Sequence, residues 1–137
     1  MVQAIRKHDQ RHLVTLGLIT IDLGKAEEAS GFIPARIAAD LDFLAIHIYP
    51  ERDKLDAAIE VLKRCKAAGK PLIVEEIFPL RCDAPSLRRF IERANKEGAA
   101  DGWIGFYWGQ KPEELKTSNS LGDQLTLAWL ELFQSMK

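Results

Sequence analysis

The stretch "GKPLIVEEIFPL", residues 69–80, contains both the feature that decides the fold and the feature that suggests chemistry. Its apolar run is short and nearly continuous, which is typical of a strand buried on both faces of a parallel sheet. Two carboxylates, Glu75 and Glu76, follow at the end of that run. Since side chains alternate between the two faces of a strand, we expect one carboxylate to point inward and its neighbour to point toward a helix layer.

Three further segments have the same character as residues 71–76. They read "HLVTLGLI" (12–19), "LDFLAIHIYP" (41–50) and "GWIGFYW" (102–108), and each is compact and apolar. Segments with helical periodicity separate them, so strand and helix alternate along the chain. This alternation predicts an α/β fold built from βα units, with right-handed crossovers and a parallel sheet.

The helical segments are predicted from apolar residues that recur at helical spacing. They cover residues 33–39, 53–68, 84–97 and about 120–136. Asp53 and Asp83 are positioned to cap two of these helices, and Gly69 and Gly98 stand where a left-handed residue ends a helix. The side chains expected to face the core are Leu55, Ala58, Ile59, Leu62 and Cys65 in the second helix, Leu87, Phe90, Ile91 and Ala94 in the third, and Leu121, Leu125, Ala128, Trp129, Leu132 and Phe133 in the last.

The number of βα units restricts the choice of fold. A flavodoxin-like sheet usually has five strands, and a closed (β/α)8 barrel has eight in roughly 250 residues. Four units are half of such a barrel. We therefore predict one domain over residues 1–137 that is equivalent to half of a TIM barrel, with a flavodoxin-like open sheet as the alternative.

Composition and charge exclude several classes of function. The chain has 137 residues, of which 47% are hydrophobic and 28% charged, and its net charge is −1. Because it has no basic block, we expect it to bind neither nucleic acid nor an anionic membrane. No apolar run reaches the roughly 18 residues of a membrane-spanning helix. The N-terminus lacks the pattern of a secretory signal, and the compartment stays undetermined.

The sequence indicates neither a metal nor a cofactor. Cys65 is expected to pack within a helix and Cys82 to be a free thiol in a loop, and two cysteines make neither a disulfide framework nor a metal cluster. No His, Cys or Asp cluster has metal-ligand spacing, and no glycine-rich loop follows a strand to hold phosphate.

In parallel α/β folds, functional side chains gather at the carboxyl ends of the strands. His47 and Tyr49 end the second predicted strand with the same parity, so both should point to one face. Asp22 follows the first strand. Glu75 is expected to be a structural acid that faces the helices or pairs with Lys70 or an arginine.

The aromatic residues of the fourth predicted strand should divide between the site and the core. Trp108 lies at the end of the strand and is the candidate site aromatic. Trp103, five residues earlier, falls on the opposite face and is expected to pack under a helix. Phe106 and Tyr107 are expected mainly to pack, and Trp129 should be a core residue of the last helix.

Several of these motifs together resemble a known family. "KPLIVEEIF" is similar to a seventh-strand motif, "HIYP" to a sixth-strand His-x-Tyr element, and "DGWIGFYWG" to an eighth strand. "IRKHDQRHLVTLG" is similar to a fourth helix and fifth strand. The family is that of the retaining glycoside hydrolases of clan A, in particular family 5, the cellulase and mannanase type. The resemblance extends over essentially the whole chain.

This resemblance implies that the chain corresponds to strands 5–8 of a (β/α)8 barrel. It implies that Glu76 is the catalytic nucleophile and that His47, Tyr49 and Trp108 bind the substrate, a β-linked oligo- or polysaccharide, without metal or cofactor. The family's acid/base glutamate lies in an Asn-Glu pair, which does not occur in this sequence, and the arginine of the family's second strand has no counterpart. The isolated chain is therefore expected to be inactive.

Three alternatives stay open from the sequence. Since a half barrel has two uncovered sheet edges, the chain is expected either to form a homodimer or to pair with a missing N-terminal half. It could instead bind saccharides without catalysis, through Trp108 and Tyr49. It could also be a flavodoxin-like domain of unrelated function.

Overall fold

The elements of the structure follow the alternation that the sequence predicts. A computed structural model of the chain describes residues 1–19 and 31–136. The strands are β1 (Gly17–Ile19), β2 (Leu44–His47), β3 (Leu72–Glu76) and β4 (Gly102–Trp103). The helices are α1 (Val2–Arg6), α2 (Pro34–Ile37), α3 (Leu55–Lys66), α4 (Ala84–Lys96), α5 (Pro112–Leu115) and α6 (Leu121–Gln134), and 3-10 turns cover Ala38–Asp40 and Arg52–Lys54. The α/β class is thereby confirmed.

The four strands form one parallel sheet, and their order in the sheet is their order in the chain. Gly17 is opposite Ala45, Ala45 is opposite Ile73, and Ile73 is opposite Gly102. These four residues therefore form one row across the sheet. The predicted parallel sheet of βα repeats is confirmed.

One face of the sheet carries the hydrophobic core. Leu18, Ile46 and Val74 point to this face and are buried against the helices. The core side chains that α3, α4 and α6 contribute are Ile59, Leu62, Cys65, Leu87, Phe90, Ile91, Ala94, Trp129 and Leu132. Every one of them was expected from helical spacing, and burial of this apolar surface is the main source of stability.

The opposite face of the sheet is less covered by the described residues. Ala45 is buried but lies outside the core cluster, and Ile73 is half-buried. Towards the edges of the same face, Ile19 is 61% exposed and Ile104, which follows β4, is 55% exposed. The three long helices thus pack on the Leu18 side, and apolar side chains on the other side meet solvent.

Of the four residues predicted to cap or end a helix, three do so in the structure. Gly69 and Gly98 follow α3 and α4 with φ of 79° and 62°, the left-handed region that favours glycine. The Asp83 carboxylate accepts a hydrogen bond from the Ser86 backbone N–H at 2.7 Å and so caps α4. The predicted cap at Asp53 is wrong, because a 3-10 turn precedes α3 and the cap position passes to Lys54.

The last helix is less deeply buried than its sequence predicts. Leu121, Leu125 and Ala128 are exposed, although all three were expected in the core. The helix packs through Trp129 and Leu132, which were expected in the core, and through Leu127, which was not. Trp129 makes edge-on contacts with Phe78, Tyr107 and Phe133. Apolar residues surround most of α6, so periodicity alone could not select the face that meets the sheet.

Two aspartates fasten the amino ends of the strands. Asp42, just before β2, accepts a hydrogen bond from the Val14 backbone N–H at 2.6 Å and pairs with Arg6. Asp101, just before β4, accepts one from the Leu72 N–H at 2.7 Å and pairs with Lys66. In each case a carboxylate accepts a hydrogen bond from a backbone N–H of the neighbouring strand: Leu72 is the first residue of β3, and Val14 lies in the segment that leads into β1.

These contacts lower the pKa of both carboxyls. For Asp101 the main cause is the hydrogen bond from Lys66, followed by the bond from the Leu72 N–H, and for Asp42 the main cause is the Val14 N–H, followed by Arg6. The charged form of each aspartate is therefore favoured in the folded state.

Among the described residues, no helix has the length and apolar character needed to cross a membrane.

We expect Asp101→Asn to lower the free energy of unfolding at pH 7 by up to about 1 kcal/mol, because a partly exposed ion pair with a backbone hydrogen bond is lost. Since the folded-state pKa is lowered, the stabilisation is complete above the unfolded value of about 3.9 and disappears as the pH falls through the folded value. Urea unfolding of wild type and variant from pH 7 to acid should therefore show a difference that shrinks below about pH 4. Asp53→Asn is the control, since this exposed side chain caps no helix. A difference that is constant with pH would contradict this role for Asp101.

Candidate functional site

A cluster of one imidazole and two carboxylates lies at the carboxyl ends of β2 and β3. His47 Nε2 is 3.0 Å from Glu75 Oε1, and His47 Nδ1 is 3.5 Å from Glu76 Oε2. The imidazole therefore lies between the two glutamates. The Nε2 contact with Glu75 is a hydrogen bond, and the longer Nδ1 contact with Glu76 becomes an ion pair when the ring is protonated.

An irregularity in the β2–β3 pairing brings both glutamates to the same histidine. Ile46 is opposite Val74, but the next residue of β2, His47, is opposite Glu76 instead of Glu75. Two residues of β3 therefore oppose one residue of β2, the arrangement of a β-bulge. Strict alternation would send the two carboxylates to opposite faces, and the bulge removes that constraint.

The structure corrects the predicted role of Glu75. This residue was expected to face the helices or to pair with Lys70 or an arginine, but it contacts His47 on the less covered face. Glu75 has the parity of Ile73, so alternation along β3 places it on this face, and the bulge brings Glu76 to the same histidine. The adjacent pair of glutamates was the visible signal, because two successive acids at a strand end cannot both enter a hydrophobic helix interface.

Gly17 makes room for the Glu75 carboxylate. A Cβ placed on Gly17 would lie 2.3 Å from Glu75 Oε1 and 3.2 Å from His47 Nε2. Glu75 therefore reaches across β2 to the backbone of β1. Gly17 was not among the predicted site residues, although a glycine inside a strand often marks the close approach of another group.

The cluster is partly open to solvent. The side chains of His47, Glu75 and Glu76 are 24%, 29% and 25% exposed. A ligand can thus reach the carboxylates, while neighbouring protein limits their movement. Such semi-buried ionisable groups at strand ends are typical of binding and catalytic sites in parallel α/β folds.

Ion pairs connect the two loops that flank the cluster. Glu51, beyond β2, pairs with Arg81, beyond β3, at 3.2 Å, and Arg52 pairs with Asp83. The Arg52 backbone N–H also donates to the Arg81 carbonyl at 3.4 Å. Each exposed pair is weak, but together they hold the two loops in one arrangement.

Tyr49 and Trp108, the other predicted site residues that the structure describes, do not join the cluster. Tyr49 is half-buried two residues after His47, and among the described residues it shares no hydrogen bond with Glu76. Trp108 is fully exposed, so its ring does not contact the cluster. Asp22 lies outside the described residues. The structure thus brings together His47 and Glu76 and adds Glu75.

The segment after β4 alternates between core and solvent. Trp103 packs edge-on against Phe90 and donates its indole N–H to Asn95 at 2.7 Å, as expected for a residue under a helix. Tyr107 packs against Trp129, also as expected. Phe106 was expected to pack but is 72% exposed, because it has the same parity as Ile104 and Trp108 and points away from the helices.

No protein-family model, curated protein or solved structure matches this chain. In the part of the chain that the structure describes, no group of three His, Cys, Asp or Glu side chains has the geometry of a metal site. The two ring nitrogens of His47 point to different carboxylates, so these three side chains do not converge on one point.

We expect Gly17→Ala to displace the Glu75 carboxylate and to destabilise the protein by about 1 kcal/mol, the low end of the cost of added volume, because that carboxylate is partly exposed and can move. Gly122→Ala is the matched control, because the nearest atom to a Cβ at this position in α6 is Ser120 Oγ at 3.7 Å. Removing a helical glycine should leave stability unchanged or raise it by up to about 1 kcal/mol. The measurement is urea unfolding of both variants.

The double variant Gly17→Ala/Glu75→Ala tests the origin of that loss. If the new methyl group collides with the Glu75 carboxylate, Gly17→Ala should cost much less in the Glu75→Ala background than in the wild type. Equal costs in the two backgrounds would show that Glu75 does not occupy the space above Gly17.

Proposed function

We propose that this chain supplies the nucleophile half of the active site of a retaining glycoside hydrolase of the cellulase and mannanase type, acting on a β-linked glycan. The observation that carries the proposal is the position of Glu76, which is held beside His47 at the carboxyl edge of a parallel sheet and is one-quarter exposed. A glycosidase nucleophile needs this combination of access and hydrogen-bonding neighbours.

The proposal includes a half barrel, equivalent to strands 5–8, as the fold. Right-handed crossovers that always step in the same direction put all helices on one face of a sheet. The strand order β1-β2-β3-β4 requires such steps, and the long helices pack on the Leu18 side. A flavodoxin-like sheet reverses its strand order and carries helices on both faces. The observed order therefore favours the barrel type.

In the proposed reaction, a Glu76 oxygen attacks the anomeric carbon while the bond from that carbon to the leaving oxygen breaks. A second carboxylic acid gives its proton to the leaving oxygen, and as a carboxylate it then takes a proton from the water molecule that replaces Glu76 on the sugar. His47 lies beside the Glu76 carboxylate through Nδ1 and helps to position it. The resemblance assigns the second acid to the other half of such a barrel.

The aromatic residues beyond β4 suit a sugar ligand. Phe106 and Trp108 are exposed, and with Ile104 they alternate with residues that pack on the helices. Flat aromatic side chains with one free face can stack on the apolar face of a sugar ring. Trp108 is the proposed platform, and Tyr49 lines the approach from β2.

An activated aryl β-glycoside tests the role of Glu76, because a good leaving group departs with little help from an acid. We expect the purified chain to release a burst of phenol of at most about one equivalent and to retain a covalently bound sugar that intact mass spectrometry detects. Glu76→Ala should abolish both signals. Glu113→Ala, at an exposed position in α5, should retain them. Equal bursts from the chain and from Glu76→Ala, or no burst from either, would contradict the proposed nucleophile.

Saccharide binding without catalysis is a second candidate function. The full exposure of Trp108, together with exposed Phe106, favours it, because large exposed aromatic side chains often mark binding surfaces. In that case the apolar platform, and not the carboxylate, would determine affinity for the glycan.

Titration calorimetry with β-linked oligosaccharides separates the two candidates. For a binding module we expect Trp108→Ala to weaken binding by about tenfold or more, since loss of an aromatic contact of 1.4 kcal/mol corresponds to a factor of ten. Glu76→Gln should leave the affinity within about twofold. Trp103→Phe is the control for loss of an indole outside the platform. Binding that is insensitive to Trp108 would exclude this function.

A further inference from the structure

The two edge strands of the sheet, over the residues that the structure describes, carry no charged side chain. β1 reads Gly-Leu-Ile, and β4 reads Gly-Trp and is followed by Ile104. Natural sheets usually protect their edges with lysine, proline or inward-pointing charges, because an unpaired strand can pair with another chain. β1 and β4 each have one partner strand within the sheet. They are short, with three and two residues, which limits pairing, but neither carries a lysine, a proline or another charge. Each edge can therefore pair with a further strand.

The sheet face that lies away from the core is apolar near both edges. Ile19 at one edge and Ile104 at the other are more than half exposed, and both point to this face. Large side chains of this kind gain free energy when they are removed from water. The same partner could thus cover the face and pair with both edges.

We propose that this partner is a second copy of the chain, and that the two copies close into one eight-stranded parallel barrel. A twofold axis parallel to the strands preserves strand direction, so β4 of each copy meets β1 of the other as a parallel neighbour. The same rotation turns the two uncovered faces toward each other and leaves the helices outside. Four strands in each copy give the eight that a closed barrel of this type contains.

Surface area and charge are compatible with this occupant. The whole chain exposes 8779 Å², about 1,600 Å² more than expected for a compact monomer of its length. A stable dimer needs about 800 Å² from each partner. The net charge of −1 causes little repulsion between copies. A twofold dimer also satisfies both edges at once, whereas a single added strand would leave one edge unpaired.

The dimer would also complete the site. Each copy contributes His47, Glu75 and Glu76 at the carboxyl end of its strands, so two such clusters would face each other across the barrel. This consequence rests on the proposed function: with the second carboxylate supplied by the partner copy, slow turnover should follow the burst in the dimer and be absent in the monomer.

Sedimentation equilibrium of the full chain over a wide concentration range tests the dimer directly. We expect a monomer–dimer equilibrium that Ile19→Lys and Ile104→Lys each weaken, since a lysine would be buried in the closed barrel. Each substitution occurs twice in the dimer, so a tenfold effect at one site raises the Kd about 100-fold. Leu125→Lys, at an exposed position in α6, is the control and should change the Kd less than about threefold. Circular dichroism checks that each variant folds.

The outcomes separate this inference from the proposed function. A dimer that dissociates in both isoleucine variants supports the inference whether or not the aryl glycoside assay gives a burst. A chain that is monomeric at every concentration overturns it, as do assemblies that grow beyond two copies or a dimer that only Leu125→Lys weakens. A monomer that still gives the Glu76-dependent burst would overturn the dimer and leave the nucleophile in place.

Discussion

The pairing of β2 with β3 determines the rest of this structure. Both strands are central, and their inward residues Leu44, Ile46, Leu72 and Val74 are fully buried. Regular pairing over these residues fixes which face meets the helices. At His47 the register shifts by one residue, so the side chains at the end of β3 no longer alternate strictly between the two faces. Core and site thus depend on the same pair of strands, regular at one end and irregular at the other.

The two ends of the sheet use carboxylates for different purposes. At the amino end, Asp42 and Asp101 bind backbone N–H groups and basic side chains, and these contacts favour the charged form. At the carboxyl end, Glu75 and Glu76 contact an imidazole and solvent. The first arrangement stabilises the fold. The second leaves carboxylate oxygens accessible to a ligand, which agrees with the general location of sites in parallel α/β proteins.

Local patterns predicted most of the fold because they depend on neighbouring residues. The positions of the strands, the core faces of α3 and α4, and the glycines that end these helices all follow from short-range periodicity and backbone sterics. The errors depend on tertiary context. The exposure of Leu125 reflects which side of α6 meets the sheet, and the lost cap at Asp53 reflects a 3-10 turn that shifts the helix start.

The candidate site was predicted in part for the same reason. His47 and Glu76 were identified from their positions at strand ends, which sequence can locate. The roles of Glu75 and Gly17 were not predicted, because they depend on which face of β3 meets the helices and on a side chain that crosses an intervening strand. A larger side chain at Gly17 would occupy the space of the Glu75 carboxylate. The two carboxylates share one imidazole because Gly17 leaves room for Glu75 and the bulge turns Glu76 toward the same ring.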